Sequence, residues 1–116
     1  MLKVLLIGTY PVLLAQRQHA FESAGYEVKV SSVSQAFRVI ERQQFDAVIL
    51  GHAIDEQERA RLTSATTKKQ HSCKVVCLYL SSIRNAEVAH AVLQVTSPVE
   101  DLVRVVDELV CPDPRS

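Results

Sequence analysis

Phe45-Asp46-Ala47-Val48-Ile49-Leu50-Gly51-His52 is the stretch whose reading decides the fold. Four apolar residues, two of them β-branched, run unbroken from Ala47 to Leu50 and stop at a glycine. A short apolar run bounded by a breaker predicts a strand buried on both faces, which is the pattern of a parallel sheet covered by helices. In an open α/β sheet the working groups gather beyond the carboxyl ends of such strands. Here that position is Gly51, which brings no side chain.

Upstream, Lys3–Ile7 has the same character and is closed by Gly8-Thr9-Tyr10. Pro11 suits a helix start, where its missing N–H is no loss. Leu14, Phe21 and Ala24, with Leu13 and Ala20 beside them, recur at a helical period, and Gly25 supplies the stop. Tyr26–Val30 alternates apolar and charged residues and predicts an edge strand with one wetter face. Ser32 or Ser34 then caps a helix, with Ser32 and Gln35 spaced for a capping box and Ala36, Phe37, Val39 and Ile40 as its inward stripe.

Downstream, Asp55–Lys69 predicts a polar helix whose inward residues are Ala60, Leu62 and Ala65. Residues 74–80 form a fourth strand, 81–90 leave room for one or two helical turns, and 91–95 form a fifth strand. Ser97-Pro98-Val99-Glu100 combines a cap, a first-position proline and an acid in the first turn. Leu102, Val105, Val106 and Leu109 give the last helix its buried face. Alternating strands and helices joined by right-handed crossovers predict a three-layer α/β sandwich, (βα)5, with a parallel sheet in the order 2-1-3-4-5. Residues 1–110 make one domain and 111–116 a short tail.

Composition bounds the function. The chain has 116 residues, 47% of them hydrophobic, so core material is ample. Thirteen basic residues balance thirteen acidic ones, which leaves no electrostatic footprint for nucleic acid. No stretch approaches the ~18 apolar residues of a membrane span. The apolar start is too short for a secretory signal, so a cytoplasmic location is expected. Three cysteines lack metal-ligand spacing. Cys73 and Cys77 sit roughly 13 Å apart on one strand, too far for a disulfide, and read as buried or incidental thiols.

Candidate chemistry is sparse. Asp46 lies at the amino end of its strand, about 16 Å from Gly51 at the rise of an extended chain. Asp55 and Glu56 fall where acids favour a helix start, and a structural cap is the expected role for both. His52 follows Gly51 with no acid partner placed by sequence, while His19 and His90 read as helix residues and His71 as a turn residue.

Over nearly its whole length the chain resembles the receiver domain of two-component response regulators, with the flavodoxin-like fold that family shares with CheY. The residues that carry the resemblance are Lys3–Ile7 with Tyr10-Pro11, Ala24-Gly25-Tyr26-Glu27-Val28, Ala36-Phe37, Phe45–Leu50, and Ser97-Pro98 with Glu100-Asp101-Leu102. The resemblance implies a phosphorylated Asp at the end of the third strand; Gly51 stands there. It implies paired Mg²⁺-binding acids after the first strand; Gly8 and Thr9 stand there. Tyr79 takes the place of the Thr or Ser that reads the phosphoryl group, and Ser97 that of the Lys before a proline whose peptide bond is usually cis. Phosphoryl transfer to Asp needs a carboxylate nucleophile and a divalent ion held by hard oxygen ligands. These positions supply neither, so the expectation is a degenerate pseudo-receiver, not an enzyme, without cofactor or metal.

The tyrosine at 79 either leans into the room left at Gly51 or points outward. No aromatic stands where the family's fifth strand carries its switch residue, since Leu93 or Val95 occupies that stretch. The resemblance further implies a protein partner in bacterial signalling, or a homodimer, met by the face of the fourth helix, fifth strand and last helix, with Val99, Val103 and Val110 contributing apolar area. The competing expectation is a small-ligand sensor whose vacated pocket is bounded by Gly8, Thr9, Gly51, Tyr79 and Ser97. An enzyme on the same scaffold is disfavoured: there is no glycine-rich phosphate loop and no nucleophile elbow.

Overall fold

The computed structural model describes residues 2–69, 72–79, 91–94 and 98–110. The elements follow as β1 (Lys3–Ile7), α1 (Pro11–Ser23), β2 (Glu27–Ser31), α2 (Val33–Arg42), β3 (Ala47–Leu50), α3 (Glu56–Lys69), β4 (Lys74–Tyr79), β5 (Ala91–Gln94) and α4 (Val99–Val110). The strands are parallel, in the order β2-β1-β3-β4, with the backbone of β5 extending the sheet beside β4. The short helix expected over 81–90 lies outside the described residues.

Alternation along the buried strands makes two cores. Leu5, Ile7, Val48, Leu50, Val75 and Cys77 face one side and pack with Ala36 and Ile40 of α2 and Leu62 of α3. Val4, Leu6, Ala47, Ile49, Val76 and Leu78 face the other, against Phe21 of α1 and Leu102 and Val106 of α4. A strand flanked on both faces by helices must be apolar at every position, which is why β1 and β3 carry no polar break. β2 lies at the sheet edge, and exposed Glu27 and Lys29 alternate with half-buried Val28 and Val30. The wetter edge strand is therefore found where it was expected, one residue later than the sequence suggested.

That shift has a local cause. Tyr26 is the last residue of a Schellman turn that closes α1: its N–H donates to Phe21 O at 3.0 Å and Gly25 N–H to Glu22 O at 3.1 Å. Gly25 takes φ +97°, a conformation that costs a side-chain-bearing residue about 1 kcal/mol or more. The motif's hydrophobic contact is an edge-to-face pair, Phe21 against Tyr26, with ring centroids 5.4 Å apart. The Tyr26 hydroxyl donates onward to the Asp107 carboxylate, tying the end of α1 to α4.

Three other expectations are corrected. Ser32 sits at the N-cap of α2, yet its hydroxyl pairs with that of Ser34 at 3.2 Å, and no capping box with Gln35 forms. Pro98 precedes α4 rather than opening it, its carbonyl accepting from Asp101 N–H at 3.0 Å. In α3 the inward line is Arg59, Leu62, Thr63 and Thr66, while Ala60 is exposed and Ala65 half-buried. The buried threonines are tolerated because each donates to the carbonyl one turn back, Thr63 to Arg59 O and Thr66 to Leu62 O, both at 2.8 Å. Asp55 does cap α3: its Oδ1 accepts from Glu58 N–H at 2.8 Å.

Candidate functional site at the carboxyl end of the sheet

β1 and β3 end side by side, in register from Val4 opposite Ala47 to Ile7 opposite Leu50. This brings Gly8 and Gly51 together, both buried, with Thr9 exposed beside them. The ladder continues one rung further, Gly51 N–H donating to Ile7 O at 2.9 Å. A Cβ on Gly51 would lie 3.2 Å from that same oxygen, 3.5 Å from Gly8 Cα and 3.8 Å from Arg17 Nη1. The approach of two backbones is what needs a glycine here. Gly8 is less constrained, since a Cβ there would meet only the Leu14 side chain, at 3.3 Å. Tyr79 ends β4 in register with Gln94. Ser97, its peptide bond to Pro98, and the orientation of the Tyr79 phenol lie outside the described residues.

Two arginines, neither singled out by the sequence reading, converge on Gly51. Arg59 is 5% exposed and its Nη2 donates to Ile54 O at 2.7 Å and to Gly51 O and His52 O at 3.3 Å each. It thus wraps the loop from β3 to α3 around one guanidinium. Arg17 is 8% exposed and, among the described residues, has no hydrogen-bond acceptor and no ion-pair partner. Its burial works against its charge. A signal for both was present: Arg17 stands on the stripe of Leu14 and Phe21, and Arg59 on that of Leu62 and Thr66, so each is a charge on an inward face.

His52 is half-buried and stacks on Tyr10, ring centroids 5.4 Å apart and planes 8° from parallel. Burial, then the charges of Arg17 and Arg59, lower its pKa, so the ring is neutral at pH 7. The carboxylates of the neighbourhood serve elsewhere. Asp46 takes Lys3 N–H at 2.8 Å at the opposite end of the sheet, and Asp55 is the α3 cap. Cys73 and Cys77 are buried thiols; burial raises both, Cys73 to about 12, so neither is a ready nucleophile. Among the described residues no group of three or more His, Cys, Asp or Glu side chains is placed to hold a metal ion, and no helix is long and apolar enough to cross a membrane.

Of the apolar residues expected on a partner face, Val99 and Val103 are half-buried and line an open groove of about 740 Å³ between α1 and α4, with Gln16, His19, Ala20 and Glu100. Val110 lies two turns further on, and both it and Val103 pack against the Phe21 core.

The sequence matches no family model, and a comparison with the curated proteins finds no match. Solved structures do match. The response regulator receiver domain from Methanospirillum hungatei JF-1 superposes with a TM-score of 0.83 at 17% identity, over 95% of this chain and 94% of that one. The receiver domain of a sensor histidine kinase from Pseudomonas aeruginosa PAO1, with magnesium coordinated in its active site cleft, gives 0.78 at 18% identity, over 94% and 97%. The complex of histidine kinase ThkA with response regulator TrrA gives 0.80 at 18% identity, over 95% and 99%. The chain has the CheY-like fold of response-regulator receiver domains.

Proposed function

We propose that this chain is a receiver-like signalling domain that works by protein–protein contact without being phosphorylated. The observation that supports it is the pair of guanidinium groups around a glycine at the end of β3. A receiver's transfer chemistry needs a carboxylate nucleophile and a divalent cation at that point. Arg17 and Arg59 repel such a cation, and neither Gly8 nor Gly51 offers a carboxylate to hold it. Receiver folds meet kinases, as the ThkA–TrrA complex illustrates, and a protein partner or a second copy of this chain is the counterpart proposed here, with Val99, Val103 and Val110 on the face that meets it. Location in the cytoplasm belongs to the same proposal.

The test is intact-mass analysis and amide NMR after incubation with Mg²⁺ and acetyl phosphate. The expected result is no phosphoryl adduct and no Mg²⁺-dependent shift at Gly8, Thr9 or Gly51. A covalent adduct overturns the proposal. The sensor alternative gains support from Arg17, which has no acceptor or ion-pair partner among the described residues.

A further inference from the structure

A cation on the inward face of a helix with no acceptor beside it is a costly arrangement in a protein. Such groups are ordinarily paired, and Arg59 shows the usual solution by donating to three carbonyls. Arg17 has no hydrogen-bond acceptor or ion-pair partner among the described residues. Its side chain is mostly buried while its guanidinium still reaches solvent, and its Nη1 lies 3.8 Å from where a Gly51 side chain would begin. We propose that the carboxyl end of the sheet is a binding site for a small oxyanion, a phosphate or carboxylate group, with Arg17 as its principal ligand. This rests on the reading that the pocket has no phosphoacceptor.

The surroundings favour an anion. Arg59 is fixed beside Gly51 and adds positive potential without giving up its carbonyl contacts. His52, held against Tyr10, adds a ring that becomes a second cation when an anion draws a proton onto it. A planar guanidinium presents paired N–H groups that match the oxygens of phosphate and carboxylate alike. Where the resemblance implies a cation among acids, this chain has two arginines beside a glycine.

The experiment is a titration of the intact chain with inorganic phosphate, and separately with acetate, at ionic strength fixed by sodium chloride. The readouts are the Arg17 side-chain Nε–H resonance, the amides of Gly51 and His52, the His52 ring titration and the melting temperature. Saturable shifts at these groups, a raised His52 pKa and an anion-dependent rise in melting temperature are expected. Saturation by phosphate, by acetate or by both upholds the site and distinguishes the two ligand classes. Arg17→Met removes the ligand and should weaken anion binding roughly tenfold or more. It should also leave the anion-free protein no less stable, because Arg17 makes no hydrogen bond or ion pair among the described residues that the substitution would break. Arg17→Lys, which keeps the charge but not the fork, should fall between, and serves if the methionine variant does not fold. The proposal fails if neither anion gives saturable shifts, or if Arg17→Met or Arg17→Lys binds as the parent does. Non-covalent binding and its loss are independent of the phosphoryl adduct that would overturn the proposed function.

Discussion

Gly51 and Gly8 end adjacent strands, yet a methyl group would be received differently at each. Gly51→Ala pushes a Cβ against the backbone oxygen of Ile7, which cannot swing aside, and should cost about 1–3 kcal/mol. Gly8→Ala meets only the end of the Leu14 side chain, which can change rotamer, and should cost clearly less. Urea midpoints of the two variants, measured together, check the order. His52 carries a second prediction. Its pKa in the folded chain lies below the ordinary 6.5, so the unfolded chain takes up the proton first. The stability this group contributes is whole above pH 6.5 and is lost as pH falls toward the folded value. His52→Asn should flatten that part of the stability–pH curve, with Arg17 and Arg59 still in place to reveal the difference.

At the scale of elements, the strands were readable because burial on both faces leaves no choice of residue; β1 and β3 announce themselves. The inward face of α3 was not, because Thr63 and Thr66 hide their polarity by donating to their own helix, and composition alone suggests alanines instead. Arg17 and Arg59 were missed for a related reason. Most arginines are solvated, and only their position on an apolar stripe separates these two from the rest. The residues Gly8, Thr9 and Gly51 at the ends of β1 and β3 were legible at once in the sequence; the two arginines beside Gly51 needed coordinates. Two element ends can be tested. Asp55→Ala removes the acceptor of Glu58 N–H and should cost about 1 kcal/mol, read as a lowered denaturation midpoint. Gly25→Ala forces a side chain to φ +97° and should cost about 1 kcal/mol or more by the same measurement.

For the whole molecule, the sheet separates two cores that share strands but not side chains. Leu62 belongs to one and Leu102 to the other, and both are buried. Truncating either to alanine should cost about 2–5 kcal/mol, from lost burial and the cavity left behind. With a sheet between them the two cavities cannot collapse into each other, so the double variant should lose the sum within about 0.5 kcal/mol. Equilibrium denaturation of the two single variants and the double variant decides this, provided the double variant retains a folded baseline.

The Schellman turn at the end of α1 has a bearing on how the molecule moves. Ala24, Gly25 and Tyr26 lock the last turn, and the Tyr26 hydroxyl anchors it to Asp107. The first turn starts from an exposed Tyr10 that offers no side-chain cap. The helix thus has a hydrogen-bonded capping motif at one end only; its other end lies beside the glycines and rests on the Tyr10–His52 stack. Amide protons should exchange with solvent fastest near Pro11 and slowest near Ser23, a gradient along a single helix. An anion gripped by Arg17, midway along, would slow the fast end and leave the slow end as it was, so that occupancy of the site could be read as a change in the helix's fraying.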